Sequence, residues 1–109
     1  MQSTRELTRT FAALADPTRL SIVAALSRGD ATVGELAMPF ELSQQAVSKH
    51  LKVLEDAGLI TRRKVAQSRP CRLERPRLDS ALEWIEAQRQ LWVDRHDRLE
   101  THLASSEEG

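Results

Sequence analysis

With 109 residues, 40% of them apolar, the chain can form one domain around one core and is too apolar for a disordered chain. Sixteen Lys and Arg offset sixteen Asp and Glu, so net charge points to no acidic or basic partner, and the single cysteine, Cys71, excludes an internal disulfide. No run of about 18 apolar residues suits a membrane span and the N-terminal stretch lacks the apolar core of a secretion signal, so a cytoplasmic protein is expected.

In chain order, residues 3–15 predict a first helix, with Leu7, Phe11 and Leu14 on one face and Ser3 as cap three residues before Glu6. "DPTRLSIVAALSRGD" predicts the second: Asp16 caps, Pro17 takes the first helical position and Gly29 ends it. Leu20, Val23, Ala24 and Leu26 are its expected inward residues. "TVGELAMPFE" predicts a short third helix with Thr32 and Glu35 as a capping box and Pro39 as its stop. The fourth runs over about 43–57, with Val47, Leu51 and Leu54 at helical spacing and Gly58 as a left-handed cap.

After Gly58 the period changes. Residues 59–74 predict a hairpin, with strands near 60–65 and 70–74 around "AQSRP". From about 77 to 104 nothing breaks a last helix, and "SSEEG" reads as a frayed tail. Leu78, Leu82, Ile85, Trp92, Leu99 and Leu103 make a heptad-like stripe on it, and Ala81, Trp84 and Leu91 a second. Two stripes suit two neighbours: the helix's own domain and another copy of the chain. The fold class is therefore mainly α with a small β-hairpin, ordered α-α-α-α-β-β-α, as a single domain spanning residues 1–109.

The zero net charge conceals a gradient. Residues 62–77 hold seven basic side chains and one acid, Glu74, whereas the chain from Asp79 onward holds eight acids and three arginines. A short helix, a turn through 40–42 and a longer helix with small polar residues in its first turns is the arrangement that reads a DNA major groove. Gln44 or Gln45 can bond an adenine edge at two points, and Lys49 can donate to guanine. Ser43 and Ser48 are short enough to approach phosphate closely.

"ALADPTRLSIVAAL", "LSQQAVSKHLKVLEDAGLI" and the basic hairpin resemble the ArsR family of winged helix–turn–helix repressors, over roughly residues 5–104. The resemblance implies a homodimer on an inverted-repeat site in double-stranded DNA. It implies DNA contacts at Gln44, Gln45, Ser48 and Lys49 and, in the wing, at Arg62, Arg63, Gln67, Ser68 and Arg69. It implies a dimer interface from the first and last helices, here Leu7, Phe11, Leu14, Leu82, Ile85, Trp92, Leu99 and Leu103. It leaves room for a small-molecule inducer of unknown identity. Most relatives carry glycine near the wing tip and an aromatic residue in the returning strand; here Ala66, Gln67 and Cys71 stand there.

Metal-sensing relatives place cysteines in the third helix, where this chain has "VGELAMPF", or a split set of His and carboxylate ligands in the last helix. Asp94 and His96 match only the first half of that set, so no metal and no cofactor are expected; His96 and Glu100, with His102 nearby, have the spacing of a helix-borne site. His50 is expected to pack between helices, Cys71 to be a buried structural thiol, and Trp84 and Trp92 to be core or dimer residues. No nucleophile–base pair, phosphate loop or carboxylate pair suggests an enzyme. The competing reading is a winged-helix module for protein interaction alone, against which the polar face of Gln44, Gln45 and Lys49 argues.

Overall fold

The computed structural model describes residues 3–108 of the chain. Five helices and one hairpin follow each other: α1 (Thr4–Leu14), α2 (Pro17–Leu26), α3 (Val33–Ala37), a 3-10 turn (Met38–Phe40), α4 (Gln44–Asp56), β1 (Ile60–Arg62), β2 (Cys71–Leu73) and α5 (Arg75–Glu108). The order is the one expected for a winged helix–turn–helix.

Local chemistry sets the helix starts. Ser3, Asp16, Thr32 and Ser43 each sit in extended backbone and accept a hydrogen bond from an N–H in the first turn that follows. At α3 the box closes both ways: Glu35 N–H donates to Thr32 Oγ1 (3.3 Å) and Thr32 N–H donates to Glu35 Oε1 (3.1 Å). The Thr32 backbone N–H, and then the Thr32 hydroxyl donating to the same oxygen at 3.0 Å, hold the Glu35 carboxyl below its usual range. The turn into α4 passes through Glu41 at φ 54°, and α4 ends beside Gly58 at φ 77°.

The core gathers Ile22, Leu26, Leu36, Val47, Leu51, Leu54, Leu59, Ile60, Cys71 and Leu73. Two expected members of α2 are not in it: Leu20 and Ala24 are exposed, and Ile22, fully buried, takes their place. That helix is apolar on nearly every side, so no single face stands out in its sequence. It also ends at Leu26 with Ser27 as cap, before Gly29.

β1 and β2 pair antiparallel, with Ile60 opposite Leu73, Thr61 opposite Arg72 and Arg62 opposite Cys71. Each strand has three residues, shorter than the spans expected from sequence. The other edge of β2 is taken by Ala31, whose N–H donates to the Cys71 carbonyl (3.2 Å) and whose carbonyl accepts from the Cys71 N–H (2.7 Å). The wing is thus stitched into the body at Cys71, and only its tip projects.

α5 starts two residues earlier than expected and continues through Glu108, so the expected frayed tail is helical over residues 105–108; Gly109 lies outside the described residues. Its first turns rest on the body, with Ala81 buried and Leu78 half-buried. Beyond Ala81 no described side chain of α5 is buried, and the molecule measures 74 × 30 × 22 Å. Among the described residues, no helix is long and apolar enough to cross a membrane.

Candidate nucleic-acid interface

At about 100° per residue, the buried Val47, Leu51 and Leu54 occupy an arc of about 60° on α4. Gln45, Lys49, Lys52 and Asp56 then fall on the opposite side, and all four are exposed. Lys52 and Asp56 are paired at 3.0 Å. Gln45 and Lys49, nearer the N-terminus, have no such intramolecular partner among the described residues. An N-terminal half with free amide and ammonium groups and a C-terminal half with its charge neutralised suits a helix that enters a groove by its first turns.

The flanking positions behave differently. Ser48 is half-buried, while Gln44 is exposed and leans back on α3: its Nε2 lies 3.4 Å from where a Cβ on Gly34 would stand. Ser43 Oγ accepts the Ala46 N–H at 3.1 Å, which occupies it as the helix cap and leaves its hydroxyl proton to donate. Gln45 and Lys49 are therefore the outermost of the five sequence-proposed α4 residues.

The wing tip is a tight turn. Val65 and Ser68 exchange backbone hydrogen bonds at 2.9 and 3.0 Å, and Ser68 Oγ also donates to the Val65 carbonyl at 3.1 Å. Ala66 takes φ 56°, the left-handed conformation in which a glycine would sit unstrained. Gln67, Ser68, Arg69, Arg63 and Lys64 are all exposed. Lys64 lies outside the contacts that the family resemblance implies, yet its charge and place in the basic run mark it equally.

Arg62 and Arg63 are neighbours in sequence and opposites in space, because successive strand residues point to opposite faces. Arg63 is exposed. Arg62 turns inward on the Cys71 side, where its Nε lies 3.9 Å from Glu55 Oε2 of α4 and has no hydrogen-bond partner. The two arginines are not equivalent candidates for a phosphate.

His50, expected to pack between helices, sits half-buried at such a contact, and its neighbours there are polar. Arg19 Nη1 lies 3.2 Å from its Nδ1, and Asp16 Oδ2 lies 3.7 Å from the same nitrogen. The Asp16 carboxyl is held below its usual range, first by the Arg19 backbone N–H (3.0 Å), then by the Arg19 charge.

Along α5 the proposed dimer residues Leu82, Ile85, Trp92, Leu99 and Leu103 are all about half exposed on the single chain. On α1, Leu14 packs against its own core, and Phe11 meets Trp84 edge-on with ring centroids 5.8 Å apart. Leu7 is half-buried. Part of the first helix's apolar face is thus used within the chain. Trp92 stacks edge-on with His96 at 4.1 Å, and no group of three His, Cys, Asp or Glu side chains converges among the described residues.

A helix–turn–helix domain family matches residues 14–63. The chain is 43% identical over 74 residues to an HTH-type transcriptional regulator of Mycobacterium tuberculosis, covering 68% of this chain and 69% of that one. It is 33% identical over 75 residues to the transcriptional repressor SdpR of Bacillus subtilis, covering 69% and 83%. Among solved structures, an ArsR-like transcriptional regulator from Rhodococcus sp. RHA1 superposes with a TM-score of 0.78 at 32% identity, covering 89% and 92%. The homodimeric winged helix–turn–helix DNA-binding domain Mb0332 of Mycobacterium bovis superposes with a TM-score of 0.63 at 26% identity, covering 83% and 91%.

Proposed function

The chain belongs to the ArsR family of winged helix–turn–helix transcriptional regulators, and we propose that it acts in the cytoplasm as a homodimeric, sequence-specific repressor on an inverted-repeat operator. The observation that carries this reading is the outward row of α4. Gln45 and Lys49 stand free at its N-terminal half, opposite the buried Val47, Leu51 and Leu54. Gln45 would read a base edge and Lys49 a guanine, with Gln44, Ser43 and Ser48 flanking them. Arg63, Gln67, Ser68 and Arg69 would hold phosphates from the wing, and Arg62 would act mainly through its contact with Glu55.

Dimerisation would bury the exposed α5 stripe, Leu82, Ile85, Trp92, Leu99 and Leu103, together with Leu7 and the outer edges of Phe11 and Leu14. An apolar row of this length is not left in water without a purpose, and the dimeric state of the Mycobacterium bovis domain supports pairing. The name of SdpR supports repression. A small-molecule inducer would act on this dimer, and no enzymatic activity is proposed.

Selection of bound duplexes from a random pool at two salt concentrations tests the reading. Enrichment of an inverted repeat that survives the higher salt, with half-sites about 34–36 Å apart, is expected. A pool with no enriched sequence, lost entirely at higher salt, would leave only backbone binding and bring forward a protein-interaction module.

A further inference from the structure

The guanidinium of Arg19 joins three helices. Its Nε–H donates to the Ala13 carbonyl at 2.6 Å, Nη2 to the Ala12 carbonyl at 3.4 Å, and Nη1 to His50 Nδ1 at 3.2 Å. The first two acceptors belong to the last turn of α1, and the third to the middle of α4. The Ala13 carbonyl needs an outside donor for a covalent reason. Its partner four residues on would be Pro17, which has no N–H. The Arg19 backbone N–H meanwhile donates to Asp16 Oδ2 at the start of α2.

We propose that Arg19 and His50 form a strut fixing the pose of α4 against α1, which makes His50 a positioning residue for operator recognition. A guanidinium presents its N–H groups in a rigid plane, so α1 and α4 cannot shift relative to each other without losing one of these bonds. Arginine only donates; Nδ1 therefore accepts, and the ring carries its proton on Nε2. His50 lies beside Lys49 in sequence and about 100° round the helix from it, so any displacement at His50 is carried to the outward row. The other end of the strut reaches α5 through α1: Phe11 meets Trp84, and Glu6 lies 3.4 Å from Arg77. The strut thus links the helices proposed to dimerise with the helix proposed to read DNA.

This inference rests on the operator-binding reading, and the test separates the two. Three proteins are compared: wild type, His50→Asn, whose Oδ1 places an acceptor near the position of Nδ1, and His50→Leu, which has none. Dissociation constants for a selected operator and for an unrelated duplex are measured at one salt concentration, well below the unfolding temperature. His50→Leu should lose operator affinity tenfold or more with less than twofold change on the unrelated duplex, and His50→Asn should stay within threefold of wild type. Equal losses on both duplexes, an unaffected His50→Leu protein, or a His50→Asn protein as weak as His50→Leu would overturn the strut. A wild-type protein that fails to discriminate would instead count against operator binding. The strut is then judged on free protein by backbone amide shifts: His50→Leu should move residues 12–15 together with 46–49, and movement confined to α4 would refute it.

Discussion

Arg77 occupies the space that a side chain on Gly58 would need. A Cβ there would lie 2.8 Å from Arg77 Nη2 and 2.9 Å from its Cζ and Nε. The same guanidinium reaches Glu6 at 3.4 Å, so the end of α4, the start of α5 and the first turn of α1 meet on one residue. Glycine is required twice over at this point, for its φ of 77° and for the close approach of Arg77.

Gly58→Ala should therefore destabilise the fold by about 1–3 kcal/mol, from left-handed strain and from expulsion of Arg77. The half-exposed Glu6 pair adds little, since such pairs contribute about 0–1 kcal/mol. Urea denaturation of Gly58→Ala and of the double variant Gly58→Ala/Arg77→Ala separates the two terms. The double variant should recover the steric part and retain the strain. Stability equal to wild type in the single variant would refute both.

The division between what was legible in sequence and what was not follows the range of the forces. Helix starts depend on contacts three residues apart, so Ser3, Asp16 and Thr32 mark them in the sequence, as Gly58 marks the end of α4. The seat of β2 on Ala31, 40 residues from Cys71 in sequence, leaves no such local mark, and the strands are shorter than the sequence predicts. Ile22 carries no periodic mark, because α2 is apolar on nearly every side. Arg62 and Arg63 look alike in a basic run and separate only when strand direction and Glu55 are known. The sequence places His50 between helices and leaves its polar partner unmarked, because Arg19 lies on another helix.

The two arginines yield a direct test on DNA. Arg63→Ala should weaken operator and unrelated duplex alike and reduce the slope of log K against log salt by about 1, as loss of one phosphate contact does. Arg62→Ala should leave that slope nearly unchanged, because its side chain faces Glu55. Lys49→Ala should weaken the operator by about 1–3 kcal/mol more than the unrelated duplex. Fluorescence anisotropy titrations at four salt concentrations measure all three. Equal slopes for the two arginine variants would sink the distinction between them, and equal losses on both duplexes would remove Lys49 from base readout.

On α5 the proposal is that exposed apolar residues meet a second copy. Leu99 lies far from the core of its own chain, so Leu99→Glu should leave monomer folding intact by circular dichroism. Burying an unpaired carboxylate in a dimer seam is costly, and sedimentation should shift from dimer to monomer. Operator affinity should fall with it, since each half-site would be bound alone. A dimer of unchanged strength would exclude this face.

Cys71 offers the last test, because a thiol in a regulator invites a redox reading. The side chain is fully buried, its backbone is bonded to Ala31, and burial pushes its pKa up. The Arg62 charge pulls the other way, while Glu55 and Asp30 add to the rise. A raised pKa means that the folded state keeps the proton that the unfolded chain releases. Stability contributed by the thiol is thus present below the unfolded value, about 8.5, and declines as pH rises above it. The thiolate is the reactive form, so iodoacetamide at pH 8 should modify native protein at least 100-fold more slowly than protein in urea. Cys71→Ser should cost about 1–3 kcal/mol, from a hydroxyl placed among apolar neighbours. Labelling of the native protein at the unfolded rate would mean that the junction between wing and body opens readily. Crosslinking of two wings through Cys71 would then become chemically accessible. Slow labelling that accelerates in step with urea-induced unfolding would fix Cys71 as a structural residue of that junction.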